Sequence, residues 1–172
     1  MSFRTSRVYN SVNKVRDFIF ADIEKVMDLV HAEKAAPNFL IALGLCCYTE
    51  YWGKLVKGIA VGHSEECFNE FFDRLGSCYK DLRQTKNVDV YHHIRCGLAH
   101  AYIIEGNDSI MDMKRGSCGI EYDPISISYR FHIPTYIEDF KKAVTTFIDG
   151  LDTGSEDLSL IEQALEHKPE LI

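Results

Sequence analysis

The chain has 172 residues, 46% hydrophobic and 26% charged, with 11 Gly and 4 Pro; this composition predicts one globular domain and excludes disordered, collagenous and low-complexity chains. Net charge is −7, and the excess acid lies in residues 101–172 (6 basic, 14 acidic), against 6 and 6 in residues 1–50 and 7 and 6 in residues 51–100. A chain that coats long duplex nucleic acid through charge should be basic overall, so only a local nucleic-acid site in the middle third is compatible with this balance.

No apolar run approaches the length that crosses a bilayer, and MSFRTSRVYN has no apolar signal core, so a cytoplasmic chain without membrane contact is expected. Residues 1–9 read as an arm. From Asn10 to about Ala35, Val12, Val15, Ile19, Ile23, Val26, Met27 and Val30 recur in steps of three and four, which predicts an amphipathic helix. Pro37 fits the first turn of a second helix reaching about Ile59, apolar on most sides and therefore the most buried. Gly62 ends it, and Ser64 with Glu65 and Glu66 opens a third helix over about 64–83, with Cys67, Phe68, Phe71, Phe72, Leu75, Cys78 and Leu82 facing inward. Thr85–Asn87 break the pattern, and a fourth helix is expected from about Val88 to Glu105, stopped by Gly106-Asn107.

The period then shifts toward two. Residues 109–133 are rich in β-branched and aromatic side chains, with turns at Lys114-Arg115-Gly116 and Asp123-Pro124, and predict a small antiparallel hairpin of two or three strands. Pro134-Thr135 opens a fifth helix to about Asp149, Gly150 and Gly154 loosen the chain, and Ser155 caps a last short helix over 155–168. The expected fold is mainly α: an antiparallel bundle of five to six helices, a single domain over 1–172, with a β insertion between the fourth and fifth helices.

None of the six cysteines forms a C-x-x-C pair, which favours reduced, partly core-packed thiols in a reducing compartment. His63 and Cys67, and likewise His92 and Cys96, are four apart, the spacing of two ligands on one helix face, but no second pair completes either site. Neither a metal nor another cofactor is expected.

Titratable side chains concentrate in Tyr91-His92-His93-Ile94-Arg95-Cys96-Gly97-Leu98-Ala99-His100-Ala101-Tyr102. Arg95 is a permanent planar cation suited to phosphate, and His100 titrates near neutrality, a minimal kit for breaking an RNA phosphodiester through its 2′-hydroxyl. Five residues amount to about 140° of rotation on a regular helix, so the pair can meet only if Gly97 relaxes the turn or if two copies share a cleft across a two-fold axis. Simpler roles exist for each residue. Arg95 can staple two helices through Glu50, and His100 can be a hydrogen-bonded core residue. Tyr102 can be a core-edge aromatic, and Lys114, Arg115 and Arg130 can be solvated hairpin charges. Trp52, with Tyr48 and Tyr51, reads as packing or as a dimer face. Of the adjacent His92 and His93, one at most faces the site.

Arg, four residues, then His, late in a helical bundle, resembles the HEPN superfamily of RNA-binding and RNA-cleaving domains, as does the helix FLIALGLCCYTEYWGKLVKG with Glu50 in its middle. The resemblance spans about residues 10–150. It implies a metal-independent endoribonuclease, toxin-like or antiviral, acting as a homodimer on single-stranded RNA. Arg95 and His100 would be catalytic; Glu50, Cys96, Tyr102 and His92 would support them; His93, Lys114, Arg115 and Arg130 would contact RNA weakly. Tyr102 matches an extended motif of toxin-like members whose partner is a nucleotidyltransferase antitoxin that modifies that Tyr. Cys96 stands where family ribonucleases usually carry Asn or Asp, so the alternative is a non-catalytic dimeric module binding RNA or protein.

Overall fold

The computed structural model describes residues 7–32, 38–104 and 109–166. It is mainly helical with one small three-stranded sheet. The first six residues of the expected arm, the Pro37 turn, the Gly106-Asn107 stop and the last helix beyond Glu166 lie outside the described residues. Among the described residues no helix is long and apolar enough to cross a membrane.

Helix α1 (Arg7–His31) starts three residues before the expected position and buries Val12, Ile19 and Ile23 on one stripe. Helix α2 (Asn38–Lys57) is the centre: α3 (Ser64–Arg74), α6 (Ile133–Thr153) and α7 (Leu158–Glu166) all pack on it. Its Trp52 is fully buried, stacked on Phe71 and edge-on to Phe147, which makes it core packing and not a dimer face. Phe68, Phe72, Tyr79, Tyr136 and Phe140 extend this aromatic core, which removes more apolar area per residue than aliphatic side chains would.

The remaining four expected helices differ in their bounds. The third is broken at Gly76, whose φ of +155° is open only to glycine, and resumes as α4 (Ser77–Lys80) with a π-helical turn over Asp81–Thr85. The fourth is a π-helical turn over Tyr91–Cys96 followed by one α-turn, α5 (Gly97–His100). It stops because Tyr102 takes a left-handed φ of 58° and the Ala101 and Ile103 N–H groups both fold back on the Gly97 carbonyl. Helix α6 runs through Gly150 and ends at Gly154, φ 76°, as a left-handed cap should. Helix α7 is capped by Asp157, not Ser155: the Asp157 carboxylate accepts from the Ser159 N–H at 2.9 Å.

The insertion is a mixed sheet and not an antiparallel hairpin. Strands β1 (Ile110–Asp112), β2 (Ile120–Asp123) and β3 (Ser128–His132) lie in the order β1-β3-β2, with β1 parallel and β2 antiparallel to β3. Only β2 and β3 form a hairpin, closed by Asp123, which accepts from the Ile125 N–H and the Ser126 hydroxyl. The segment after β1 must instead cross the sheet to reach β2. Ile120, Tyr129 and Phe131 face the core. Ile110, Asp112, Glu121, Arg130 and His132 share the other face, because paired residues point to the same side.

Cys78 and Cys118 form a disulfide between α4 and this insertion, which corrects the expectation of six reduced thiols; Cys46, Cys47, Cys67 and Cys96 are free. The two cysteines are 40 residues apart in sequence, a separation with no local signal, and only the folded chain brings their Cα atoms to 6.1 Å. Chain-entropy scaling for a loop of that length assigns about 4 kcal/mol to the cross-link. Chemical denaturation with and without a dithiol reductant should therefore show a loss of that order, and a loss below about 1 kcal/mol would show that the bond constrains little.

Candidate functional site

Arg95 projects from the π-helical turn toward α2. Its Nε and Nη2 lie 3.0 and 2.7 Å from Glu50 Oε2, and Lys54 Nζ lies 3.0 Å from Glu50 Oε1. One carboxylate thus carries two cations, one on each oxygen, and the trio keeps a net charge of +1. The Arg95 guanidinium also sits 5.7 Å above the Tyr91 ring, a cation–π contact. Its side chain is 19% exposed and that of Glu50 only 7%. Burial opposes ionisation of Glu50, but hydrogen bonds from Ser64 and Lys54 and the charges of Arg95 and Lys54 outweigh it and hold the carboxyl below its ordinary range.

The expected pairing of Arg95 with Glu50 is therefore present. Lys54 and Tyr91 were not singled out for it, although each is four residues from its partner on its own helix, a spacing legible in the chain. Cys96 is half-buried beside Tyr91. Cys47 is an exposed free thiol within electrostatic reach of Arg95 and Glu50; burial raises its pKa and the Arg95 charge opposes that rise.

His100 ends α5 and is exposed, so it is not a core histidine. Tyr102 is 56% exposed and stacks on Phe39 at 5.4 Å between centroids and 19° between planes, so it is not a core-edge aromatic either. Phe39, Leu40, Tyr102 and Ile103 are exposed large apolar side chains beside His100.

The remaining candidates are dispersed. His92 is exposed; its Nδ1 is 2.8 Å from the Asp89 carboxylate, which also caps the His92 N–H at 3.0 Å. Glu65, Asp89 and His92 bring their ligating atoms within 4.8 Å of one another, all on the surface. His92 does not join Cys96 as a ligand pair in that cluster, and Cys67 is buried while His63 contacts Glu66 at 3.3 Å. His93 faces the sheet, where its Nδ1 is hydrogen-bonded to the Tyr129 hydroxyl. Arg115 is paired with Glu138 on α6, so its charge is already met. Lys114 and Arg130 are exposed, Arg130 on the outer sheet face.

The structure thus joins Arg95, Glu50, Tyr91 and Lys54, sets His100 and Tyr102 together at the end of α5, and places His93, Lys114, Arg115 and Arg130 on or against the insertion. Comparison of the chain with protein-family models, curated proteins and solved structures finds no match.

Proposed function

We propose that this chain is a HEPN-like, metal-independent endoribonuclease that works as a homodimer on single-stranded RNA. The observation that carries the reading is the contrast within one short helical segment. Arg95 is aimed and held by Glu50 over the Tyr91 ring, while His100 stands open to solvent. A positioned cation with a residual +1 is what a scissile phosphate needs, and a free imidazole is what a 2′-hydroxyl needs.

In this reading His100 removes the 2′-hydroxyl proton, and the 2′-oxygen attacks phosphorus. The bond from phosphorus to the 5′-oxygen then breaks, and the imidazolium returns its proton to that oxygen. The products are a 2′,3′-cyclic phosphate and a 5′-hydroxyl, with no metal in the balance. Arg95 stabilises the charge that develops on the phosphoryl oxygens. A second copy seated on Phe39, Leu40, Tyr102 and Ile103 would cover the apolar surface beside His100 and set the two Arg95–His100 sets about one axis. Tyr102, exposed and two residues beyond His100, is where a nucleotidyltransferase antitoxin would act.

The test is cleavage of single-stranded RNA in EDTA, with end-group analysis. Cyclic phosphate ends are expected, and DNA of the same sequence should stay intact. His100→Ala should slow cutting by roughly 10²–10⁴-fold, with Arg95→Ala comparably impaired. Cutting at the parental rate by the His100 variant would remove the assignment. A second reading is favoured by Cys96 and by the ion pair that meets half of the Arg95 charge: a dimeric module that binds RNA or protein without turnover. It predicts saturable binding and no product.

A further inference from the structure

Cys78 and Cys118 join the helical body to the segment that crosses from β1 to β2, and their chain neighbours meet as well. Gly119, the residue after Cys118, donates its N–H at 3.0 Å to the hydroxyl of Tyr79, the residue after Cys78. That hydroxyl in turn donates to the Asp139 carboxylate on α6 at 2.6 Å. A methyl group on Gly119 would overlap both the Tyr79 hydroxyl and the α6 backbone at Tyr136, so the segment is seated directly on the helix. Gly116 is tied there too, by its N–H to the Thr135 hydroxyl at 3.1 Å.

From this anchor a line of contacts runs to Arg95. The Gly119 carbonyl accepts from the His132 N–H at 2.8 Å, which fixes the segment to β3. Earlier on β3, the Tyr129 hydroxyl is hydrogen-bonded to Nδ1 of His93, two residues before Arg95 in the π-helical turn. The run from α4 to α5 is thus held to the insertion both covalently, at Cys78, and through His93.

The bond can be reached from one side. Cys118 is buried, whereas Cys78 is partly exposed, so an incoming thiolate meets the Cys78 sulfur. The chain keeps Cys46, Cys47, Cys67 and Cys96 free, Cys47 on the surface, so it is not a disulfide-built framework. The hydrogen bonds at Gly116 and Gly119 give the segment seats that remain when the bond is open.

We infer that the Cys78–Cys118 bond is a redox-sensitive clasp: a dithiol reductant opens it, and opening it loosens the brace on the turn that carries Arg95. A thiolate of the reductant attacks Cys78 Sγ, the sulfur–sulfur bond breaks, and Cys118 leaves as thiolate. The second thiolate of the reductant then attacks its own sulfur in the mixed disulfide and releases Cys78. Two electrons and two protons pass to the protein, and the dithiol ends as a disulfide. With the bond closed, the segment, β3 and His93 hold the turn in one place. With it open, the same line hangs on single hydrogen bonds that can open locally. As regulation of the site the inference rests on the ribonuclease reading; as a change in structure it does not.

Amide proton–nitrogen spectra of the full chain test it, recorded oxidised, after a dithiol reductant, and after reoxidation, with thiol alkylation to count open bonds. Reversible shifts are expected at residues 116–119, at Tyr129 and through Tyr91–Cys96, while the α7 amides stay in place. Cys78→Ser combined with Cys118→Ser should show the reduced pattern whatever reagent is present. Shifts confined to the residues flanking the two cysteines, or a chain that unfolds on reduction, would overturn the clasp. RNA cutting should fall roughly tenfold on reduction, the size of an ordinary coupling between sites. Equal cutting by both forms would overturn the clasp's hold on the site. No cutting by either form would remove the ribonuclease reading, and the spectra would still decide the clasp.

Discussion

Gly53→Ala destabilises the chain by more than about 3 kcal/mol, although alanine in place of glycine inside a helix normally gains roughly 1 kcal/mol. The reversal comes from the α2–α3 contact. A methyl group on Gly53 would overlap the carbonyl group of Cys67, which is backbone and cannot swing aside as a side chain can. To admit it, α3 would have to back away from α2 and loosen the ring contact of Trp52 with Phe71. Urea denaturation of the variant checks this, with the midpoint dropping or the cooperative transition vanishing. A variant as stable as the parent would mean that the two helices do not meet this closely.

Glu50→Ala is the second large effect, expected at about 3 kcal/mol, because removing one partner of a buried pair strands the charge left behind. Here two charges are stranded. Arg95 and Lys54, 19% and 20% exposed, would face each other with no anion between them. Glu50→Gln keeps the acceptor and should lose less. The pH dependence has a definite sign. The folded carboxyl titrates below its ordinary range, so its contribution is complete above the unfolded carboxylate value of about 4.3 and is lost as pH falls through the lower folded value. Acid titration of stability for the parent beside Glu50→Gln measures that contribution as the part the variant lacks. Parallel curves would show that Glu50 adds nothing that depends on its charge.

These effects bear on how much the chain disclosed before folding. The stripe of Val12, Ile19 and Ile23 in α1 and the all-round apolar α2 were legible because burial imposes a period of 3.6 on a half-buried helix and erases it on a fully buried one. The shift to period two announced strands in residues 109–133, but not that β1 would run parallel to β3. Local alternation records which residues face the core and is silent on strand direction, which depends on the path between strands. Tyr102 misled for a related reason. A helix was expected to continue through it, yet the stack on Phe39, sixty-three residues earlier, and the return of the chain onto Gly97 hold it in a left-handed conformation that no tyrosine favours alone.

Composition and periodicity alone determined a mainly helical chain with a β insertion after its fourth helical segment, because these follow from side-chain chemistry and short-range spacing; Glu50 was only one possible partner for Arg95, 45 residues away. Tertiary structure alone decided the Cys78–Cys118 cross-link, the parallel strand, the second cation on Glu50 and the burial of His132 between Asp112 and Glu121. Each of those, the cation excepted, joins residues remote in the chain through a path that only packing defines. The cation is near in sequence, but its choice of partner depends on Arg95 arriving from another helix.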